Sequence, residues 1–150
     1  MKTQLLVSKK CEYGLRAVFE LARKANSGSM KIQEIASAQG IPSRFLEAIL
    51  VELKNGGFVV SKRGNSGGYS LARDARDIHV GQVIRLFEGR LDSTESRGVP
   101  TADRAGDVAF SHLWKRTQAA ISDVYDQTTV HDLVEEETAC RCADAMNFVI

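Results

Sequence analysis

Hydrophobic residues recur at helical spacing in the first third of the chain, in three segments that are each bounded by helix-ending residues. The spacing predicts helices over residues 9–26, 31–39 and 43–55, with Ser8 as the N-cap of the first and Gly40 as the end of the second. The third helix is expected to bury one side, made of Phe45, Leu46, Ile49, Leu50 and Leu53. Two helices joined by a tight turn that contains glycine are typical of a helix-turn-helix unit.

After Gly56 and Gly57 the hydrophobic pattern changes from that of helices to that of β-strands. Residues 58–62 and 69–71 predict two short strands, and the six residues 63–68 between them include three glycines. Such a segment favours a flexible hairpin, and the neighbouring Lys and Arg give it a positive charge. Three helices followed by this hairpin predict a winged helix-turn-helix domain.

The second half of the chain returns to helical spacing after one long polar segment. The pattern predicts helices over residues 79–88, 107–126 and 130–137, with a loop over 89–106. The helix over 107–126 carries a hydrophobic stripe made of Phe110, Leu113, Thr117, Ile121 and Val124. This spacing suits either a seam with another helix or packing within the same domain. The predicted fold class is mainly α with a small β-hairpin, in which a winged helix-turn-helix domain is followed by a long helix.

The charge changes sign along the 150 residues, although the net charge is only +1. Residues 1–76 carry 13 Lys and Arg against 6 Asp and Glu, a net charge of +7, whereas residues 77–150 carry a net charge of −6. A basic half beside an acidic half indicates that one end meets a polyanion and the other meets protein, unless both are simply solvated faces. The expected organisation is a DNA-binding domain over 1–78, a region over 79–137 that meets protein and a tail over 138–150; the family resemblance described below makes the middle region a dimerisation region with a long dimerisation helix.

A membrane location is not expected for this chain. No run approaches the ~18 consecutive apolar residues of a membrane-spanning helix. The apolar run Leu5-Leu6-Val7 is too short for a signal peptide, so the predicted location is the cytoplasm.

In a helix-turn-helix protein the recognition helix enters the DNA major groove by its N-terminal turn. This places Ser43, Arg44 and Glu47 toward the base edges, where Arg44 suits guanine and Glu47 suits a cytosine amino group. Because a carboxylate near a polyanion lowers affinity, Glu47 is expected to contribute specificity. The alternative is that Glu47 is a solvated surface residue.

The hairpin is expected to follow the DNA backbone or a minor groove, because its small residues allow close approach. The hairpin residues predicted to contact DNA are Lys62, Arg63, Gly64, Asn65 and Ser66. The alternative for Arg63 is a solvated charge at the tip of a hairpin.

Three blocks of sequence carry a more specific signal. The first is Tyr-Gly-Leu-Arg-Ala over 13–17, the second runs from Ile-Ala at 35–36 to Leu-Lys at 53–54, and the third begins with Arg-Gly-Asn-Ser-Gly-Gly-Tyr at 63–69. Together they resemble the IscR/NsrR/CymR family of bacterial winged-helix transcription regulators, the Rrf family. Trp114 and residues 129–133 extend the resemblance over nearly nine-tenths of the chain.

The resemblance implies a homodimeric, sequence-specific regulator, most often a repressor, whose long helix reaches the second subunit. Its DNA partner is expected to be a double-stranded, pseudo-palindromic operator, and its signal a redox change, a small molecule or a partner protein. Glu47 and Arg63 match family positions that contact bases or grooves. Arg44 stands where many members carry a smaller residue, so a different sequence preference is expected here.

Family members that hold an iron–sulfur cluster place three cysteines in the loop before the long helix, because thiolates are the ligands of such clusters. The corresponding segment 89–106 contains no cysteine, so no cofactor is expected. The alternative is an unconventional cluster or metal site built from Cys140 and Cys142, completed by Cys11, His112 or a partner subunit. A redox-active pair of tail thiols is a further alternative.

Two other classes of function are alternatives to a transcription regulator. An enzyme is not expected, because the chain has no phosphate-binding loop, nucleophile elbow or paired-histidine motif. A winged helix that serves only as a protein-interaction module would show little salt-dependent affinity for DNA.

Overall fold

The structure is a computed structural model, and it describes residues 7–89 and 104–147. Within these residues six helices and one hairpin follow in the order α1 (Lys9–Arg23), α2 (Ile32–Gln39), α3 (Ser43–Asn55), β1 (Val59–Lys62), β2 (Gly68–Leu71), α4 (Val80–Glu88), α5 (Asp107–Gln127) and α6 (Val130–Asn147). The two strands pair antiparallel, with Val59 opposite Leu71 and Lys62 opposite Gly68. The predicted fold class, mainly helical with a winged helix-turn-helix, is confirmed.

The boundaries of the helices before α6 follow the local sequence signals closely, except that α1 ends earlier than predicted. The Ser8 hydroxyl accepts a hydrogen bond from the Cys11 backbone N–H and caps α1, as predicted. α1 ends at Arg23 rather than at residue 26, and a separate 3₁₀ turn occupies Ala25–Ser27. The bounds of α3 agree with the prediction. The predicted loop over 89–106 lies almost entirely outside the described residues.

The prediction of a short helix over 130–137 is wrong, because α6 continues to Asn147. No glycine or proline interrupts residues 130–147, so nothing in this segment stops a helix. The Arg141 guanidinium also pairs with the Glu137 carboxylate one turn earlier, at 2.5 Å. The charge of three consecutive glutamates therefore does not end the helix, and the first ten residues of the predicted tail are helical.

The core forms around the inner face of α1, which packs against α2, α3, α4 and α6 and against β2. Gly14 shows how close these elements are, since a Cβ atom at this position would lie 2.3 Å from the Phe87 ring of α4. The glycine of the Tyr-Gly-Leu-Arg-Ala block therefore lets an aromatic ring of α4 pack directly on α1. Ala17, Val18 and Leu21 continue the buried face on the same helix.

Glu20 is the one buried charged residue among the described residues, with 1% of its surface exposed. Its carboxylate accepts hydrogen bonds from Arg23 Nη2 at 2.6 Å and Nε at 3.1 Å, and from Gln39 Nε2 at 2.8 Å. Burial opposes ionisation, but the hydrogen bonds from Arg23 and Gln39 outweigh it, so the pKa of Glu20 lies below its usual 4.5. Glu20 thus joins α1 to the C-terminal end of α2 and helps to fix the helix-turn-helix unit.

No helix in the described ranges 7–89 and 104–147 is both long and apolar enough to cross a membrane.

Replacing Glu20 by Gln tests this connection. The substitution keeps the volume but removes the charge, so the free energy of unfolding at neutral pH is expected to fall by about 1–3 kcal/mol, the range for hydrogen bonds to charged groups. Because the folded-state pKa of Glu20 is lowered, its contribution is complete above the unfolded pKa and is lost as the pH falls through the folded value. Urea unfolding at several pH values is expected to show the difference between wild type and E20Q shrinking below about pH 4.5. A difference that stayed constant down to pH 2 would contradict the ionised role of Glu20.

Candidate nucleic-acid interface

The first turn of α3 presents polar side chains to solvent while the opposite side of the helix is buried. Pro42 precedes the helix in an extended conformation, and Ser43, Arg44 and Glu47 are all exposed. The buried side consists of Leu46, Ile49, Leu50 and Leu53. The core therefore holds α3 by one face and leaves the three residues predicted to face DNA accessible.

Phe45 does not belong to the buried side of α3, so this part of the prediction is wrong. The side chain is 49% exposed, whereas Leu46 is completely buried. Phe45 lies in the first helical turn, at the margin of the buried side, where no neighbouring element covers the whole ring. The Arg44 guanidinium carbon lies 4.8 Å from the centre of the Phe45 ring, within the range of a cation–π interaction.

The wing is a short hairpin whose tip is entirely accessible. All five residues predicted to contact DNA, namely Lys62, Arg63, Gly64, Asn65 and Ser66, are exposed. β1 ends at Lys62, so the remaining four belong to the connection between the strands. No carboxylate in the described part of the chain forms an ion pair with Lys62 or Arg63. The positive charge of the wing is therefore presented to solvent.

Backbone hydrogen bonds fix the base of the wing to the segment before α2. Met30 and Tyr69 exchange two of them, from Met30 N–H to Tyr69 O at 2.9 Å and from Tyr69 N–H to Met30 O at 2.7 Å. Gly68 lies between the tip and this contact with a φ of +155°, and a Cβ atom there would lie 2.3 Å from the Met30 carbonyl oxygen. A side chain at position 68 would push the wing away from the helix-turn-helix unit.

A polar groove of about 380 Å³ lies between the wing and the start of α2. Lys62, Asn65 and Ser66 line it from the wing, and Ser29 and Lys31 line it from the other side. The sequence reasoning missed Lys31 as a candidate DNA contact. The sequence could have indicated this residue, because Lys31 is a basic residue directly before the first helix of the helix-turn-helix unit.

The outer side of α3 and the wing are connected at the end of the helix. Lys54 Nζ donates a hydrogen bond of 2.6 Å to the Ser61 hydroxyl of β1. Glu47 lies seven residues before Lys54 and so occupies the same side of α3, the side toward the wing. The exposed first turn of α3 and the exposed wing thus belong to one continuous surface.

Comparison with known proteins identifies the family of this chain. The Rrf2 family, described as "Iron-dependent Transcriptional regulator", matches residues 7–136. The chain belongs to the Rrf2 family. Like the family, the relatives of this chain are transcriptional regulators and not enzymes, which confirms that expectation.

Individual relatives and solved structures agree with this assignment. The HTH-type regulator CymR of Bacillus subtilis is 34% identical over 127 residues, 85% of this chain and 88% of the relative, and IscR of Serratia proteamaculans is 31% identical over 142 residues, 94% and 86%. The structure of B. subtilis CymR, described as the global cysteine regulator, superimposes with a TM-score of 0.78 at 34% identity and covers 89% of this chain and 98% of that one. T. potens IscR gives a TM-score of 0.72 at 32% identity, with 91% of both chains covered.

The three cysteines of this Rrf2 protein lie in two separate environments, one buried on α1 and two exposed on α6. Cys11 is completely buried on α1, and this burial raises the pKa of its thiol to about 12, with a further contribution from the Glu88 carboxylate. Cys140 and Cys142 are exposed and lie two positions apart on α6, about 200° around the helix axis. Nowhere in the described residues do three His, Cys, Asp or Glu side chains form a group able to hold a metal ion, and His112 is exposed on α5.

Cys140 and Cys142 instead line a groove of about 920 Å³ between α1, the end of α2 and α6. Arg16 and Arg23 line it from α1, and Arg141 lines it from α6. The carboxylates of Glu20, Glu136 and Glu137 are also part of the lining, so both signs of charge are present. The thiols of Cys140 and Cys142 are therefore accessible and lie in a groove lined by both guanidinium and carboxylate groups.

The position of the wing is tested by comparing two glycine substitutions. Gly64→Ala adds a Cβ atom in open space at a φ of +108°, so it introduces only backbone strain, about 1–2 kcal/mol. Gly68→Ala is expected to add the collision with Met30, a further cost of about 1–3 kcal/mol. Urea unfolding measures the two losses, and amide hydrogen exchange at Met30 and Tyr69 is expected to accelerate in G68A only. Equal losses and unchanged exchange would show that the wing is not fixed through this contact.

Proposed function

We propose that this Rrf2-family regulator is a homodimer that binds a pseudo-palindromic DNA operator and represses transcription. The observation that carries the proposal is the continuous exposed surface formed by the first turn of α3 and the wing. One side of α3 is anchored in the core, the wing is hydrogen-bonded to the segment before α2, and the outward side chains are accessible. A helix and a hairpin held in this way suit simultaneous contact with a major groove and the adjacent backbone or minor groove.

The charge distribution supports nucleic acid as the partner of this surface. Residues 1–76 carry the net charge of +7, and the wing contributes Lys62 and Arg63 without a carboxylate partner among the described residues. On the opposite wall of the polar groove Lys31 stands beside the Glu34 carboxylate, so the excess of positive charge in the groove comes from Lys62 of the wing. Contacts of Lys and Arg with phosphates release counterions, so the affinity for DNA is expected to fall steeply as salt is added.

The side chains on this surface have separate roles. Arg44 offers a planar pair of donors to guanine, and Glu47 accepts from a cytosine amino group. Ser43 adds a hydroxyl at the start of α3, where short polar side chains reach phosphate or base edges. Residues 63–66 follow the backbone or enter a minor groove.

The exposure of the long helix α5 supports the proposal that its partner is a second copy of the chain. None of its 21 residues is buried, although the helix is about 31 Å long. Phe110, Leu113, Trp114 and Val124 are each at least 45% exposed and share one side of the helix with Thr117 and Ile121. A two-fold axis would pair this stripe with itself and remove it from water.

We infer that the basic and the acidic half of the chain have different functions. Residues 1–78 read DNA, residues 79–137 make the dimer, and residues 138–150 form a tail, in which residues 138–147 extend α6 and carry two accessible thiols. The signal is a redox change, a small molecule or a partner protein. An ion pair of 2.7 Å between Arg85 and Asp126 connects α5 to α4, and α4 in turn packs on α1 of the DNA-binding domain through Phe87.

The contribution of the wing to DNA binding is tested with Arg63→Ala. Its affinity for a duplex selected from a random-sequence pool is expected to fall by about 1–3 kcal/mol, with a shallower dependence on salt. Arg141→Ala is the matched control, because it removes an exposed guanidinium from α6, outside the proposed surface. Fluorescence anisotropy over a range of salt concentrations measures both. Equal affinity of R63A and wild type would exclude the wing as a DNA contact, and a wild type without affinity for any duplex would favour a protein-interaction module.

The dimer is tested by placing a charge on each side of α5. Leu113→Glu is expected to convert the dimer to monomer, because it buries a carboxylate in an apolar seam. Val108→Glu is the control, since Val108 is 56% exposed but lies on the other side of the same helix. Sedimentation velocity distinguishes the two species. Wild-type protein that is monomeric at micromolar concentration, or L113E that remains dimeric, would contradict the proposed seam.

A further inference from the structure

Phe45 is an apolar side chain placed where the proposed function expects polar contacts to DNA. Half of its surface is accessible, at 49%, although the residues that follow it on the buried side of α3 are almost fully covered. It lies in the N-terminal turn of α3, between Arg44 and the buried Leu46. Within the described residues its neighbours therefore leave a substantial part of an aromatic ring exposed to water.

The contact between Phe45 and Arg44 restrains the residue that is proposed to read guanine. The guanidinium carbon of Arg44 lies 4.8 Å from the ring centre, so the cation is held against the aromatic face. In the described part of the chain no carboxylate competes for Arg44. Its donors thus remain available while the freedom of its long side chain is reduced, which lowers the entropy lost on binding.

The chemistry of the major groove offers one partner for an exposed apolar group. Thymine is the base that presents a methyl group there, and an aromatic or aliphatic side chain recognises it by apolar contact. A guanine next to this thymine presents its two acceptors to an arginine. Adjacent residues at the start of a recognition helix can therefore meet adjacent base pairs.

We propose that Phe45 is a specificity-determining residue that contacts the C5-methyl group of a thymine, beside the guanine read by Arg44. The inference rests on the proposed DNA-binding function. Phe45 makes the apolar contact and at the same time orients Arg44, so the two residues read a thymine and a guanine as one unit.

The experiment uses the tightest duplex that wild-type protein selects from a random-sequence pool. Each thymine is replaced in turn by deoxyuridine, which lacks only the methyl group. At one thymine per half-site the wild-type affinity is expected to fall about fourfold, the effect of leaving one methyl group unburied. Phe45→Ala is expected to bind the thymine and deoxyuridine duplexes with equal affinity.

Two further variants separate recognition from folding. Val51→Ala removes a side chain from α3 that is exposed to a similar degree, 53%, and is expected to keep the methyl effect. Phe45→Leu keeps an apolar side chain but removes the aromatic face, so it is expected to retain the methyl effect and to lose part of the preference for guanine. The thermal unfolding of F45L and V51A is expected to match wild type closely, whereas F45A is expected to unfold at a slightly lower temperature because half of the ring is covered.

The outcomes distinguish this inference from the proposed function. A selected duplex without thymine, or a methyl effect of the same size in F45A, overturns the role of Phe45 and leaves DNA binding intact. A wild-type protein that selects no duplex overturns both. A methyl effect present in wild type, V51A and F45L but absent in F45A establishes the thymine contact.

Discussion

The packing of the inner face of α1 is the constraint on which the rest of this structure depends. α2, α3, α4, α6 and β2 all contact this helix, so each element is oriented relative to the others through it. The close approach of the Phe87 ring to Gly14 sets the distance between α1 and α4. Because protein cores are densely packed, a change on this face would shift α3 and the wing as well.

Polar interactions refine the arrangement that this packing creates. The ion pairs of α1 at the surface, such as Lys10 with Glu52 of α3 at 2.6 Å, are well solvated and contribute little to stability. Glu20 differs because its carboxylate is buried and fully hydrogen-bonded, so loss of its partners would leave a desolvated charge. The geometry of the helix-turn-helix unit is therefore more sensitive to this single carboxylate than to the exposed pairs around it.

Two parts of the exposed apolar surface have different proposed uses. On α5 a stripe of large side chains extends along one side of a helix without buried residues, as expected for a seam between two copies. On α3 the exposed aromatic surface is a single ring, Phe45, at the end that is proposed to enter the major groove. The stripe on α5 is large enough to drive association of two chains, whereas the single ring of Phe45 is suited to discrimination between bases.

The elements with local signals could be predicted from the amino-acid sequence. The bounds of α3, the position of the wing and the stripe of α5 follow from helix-ending residues, strand-forming residues and spacing, all of which act over a few positions. The continuation of α6 past residue 137 also agrees with its local sequence, which lacks glycine and proline. The exposure of Phe45 and the hydrogen bonds between Met30 and Tyr69 could not be predicted in this way. Each of these depends on which distant segment packs beside a residue. Helical spacing does not contain that information, because it specifies only the side of a helix and not what covers it.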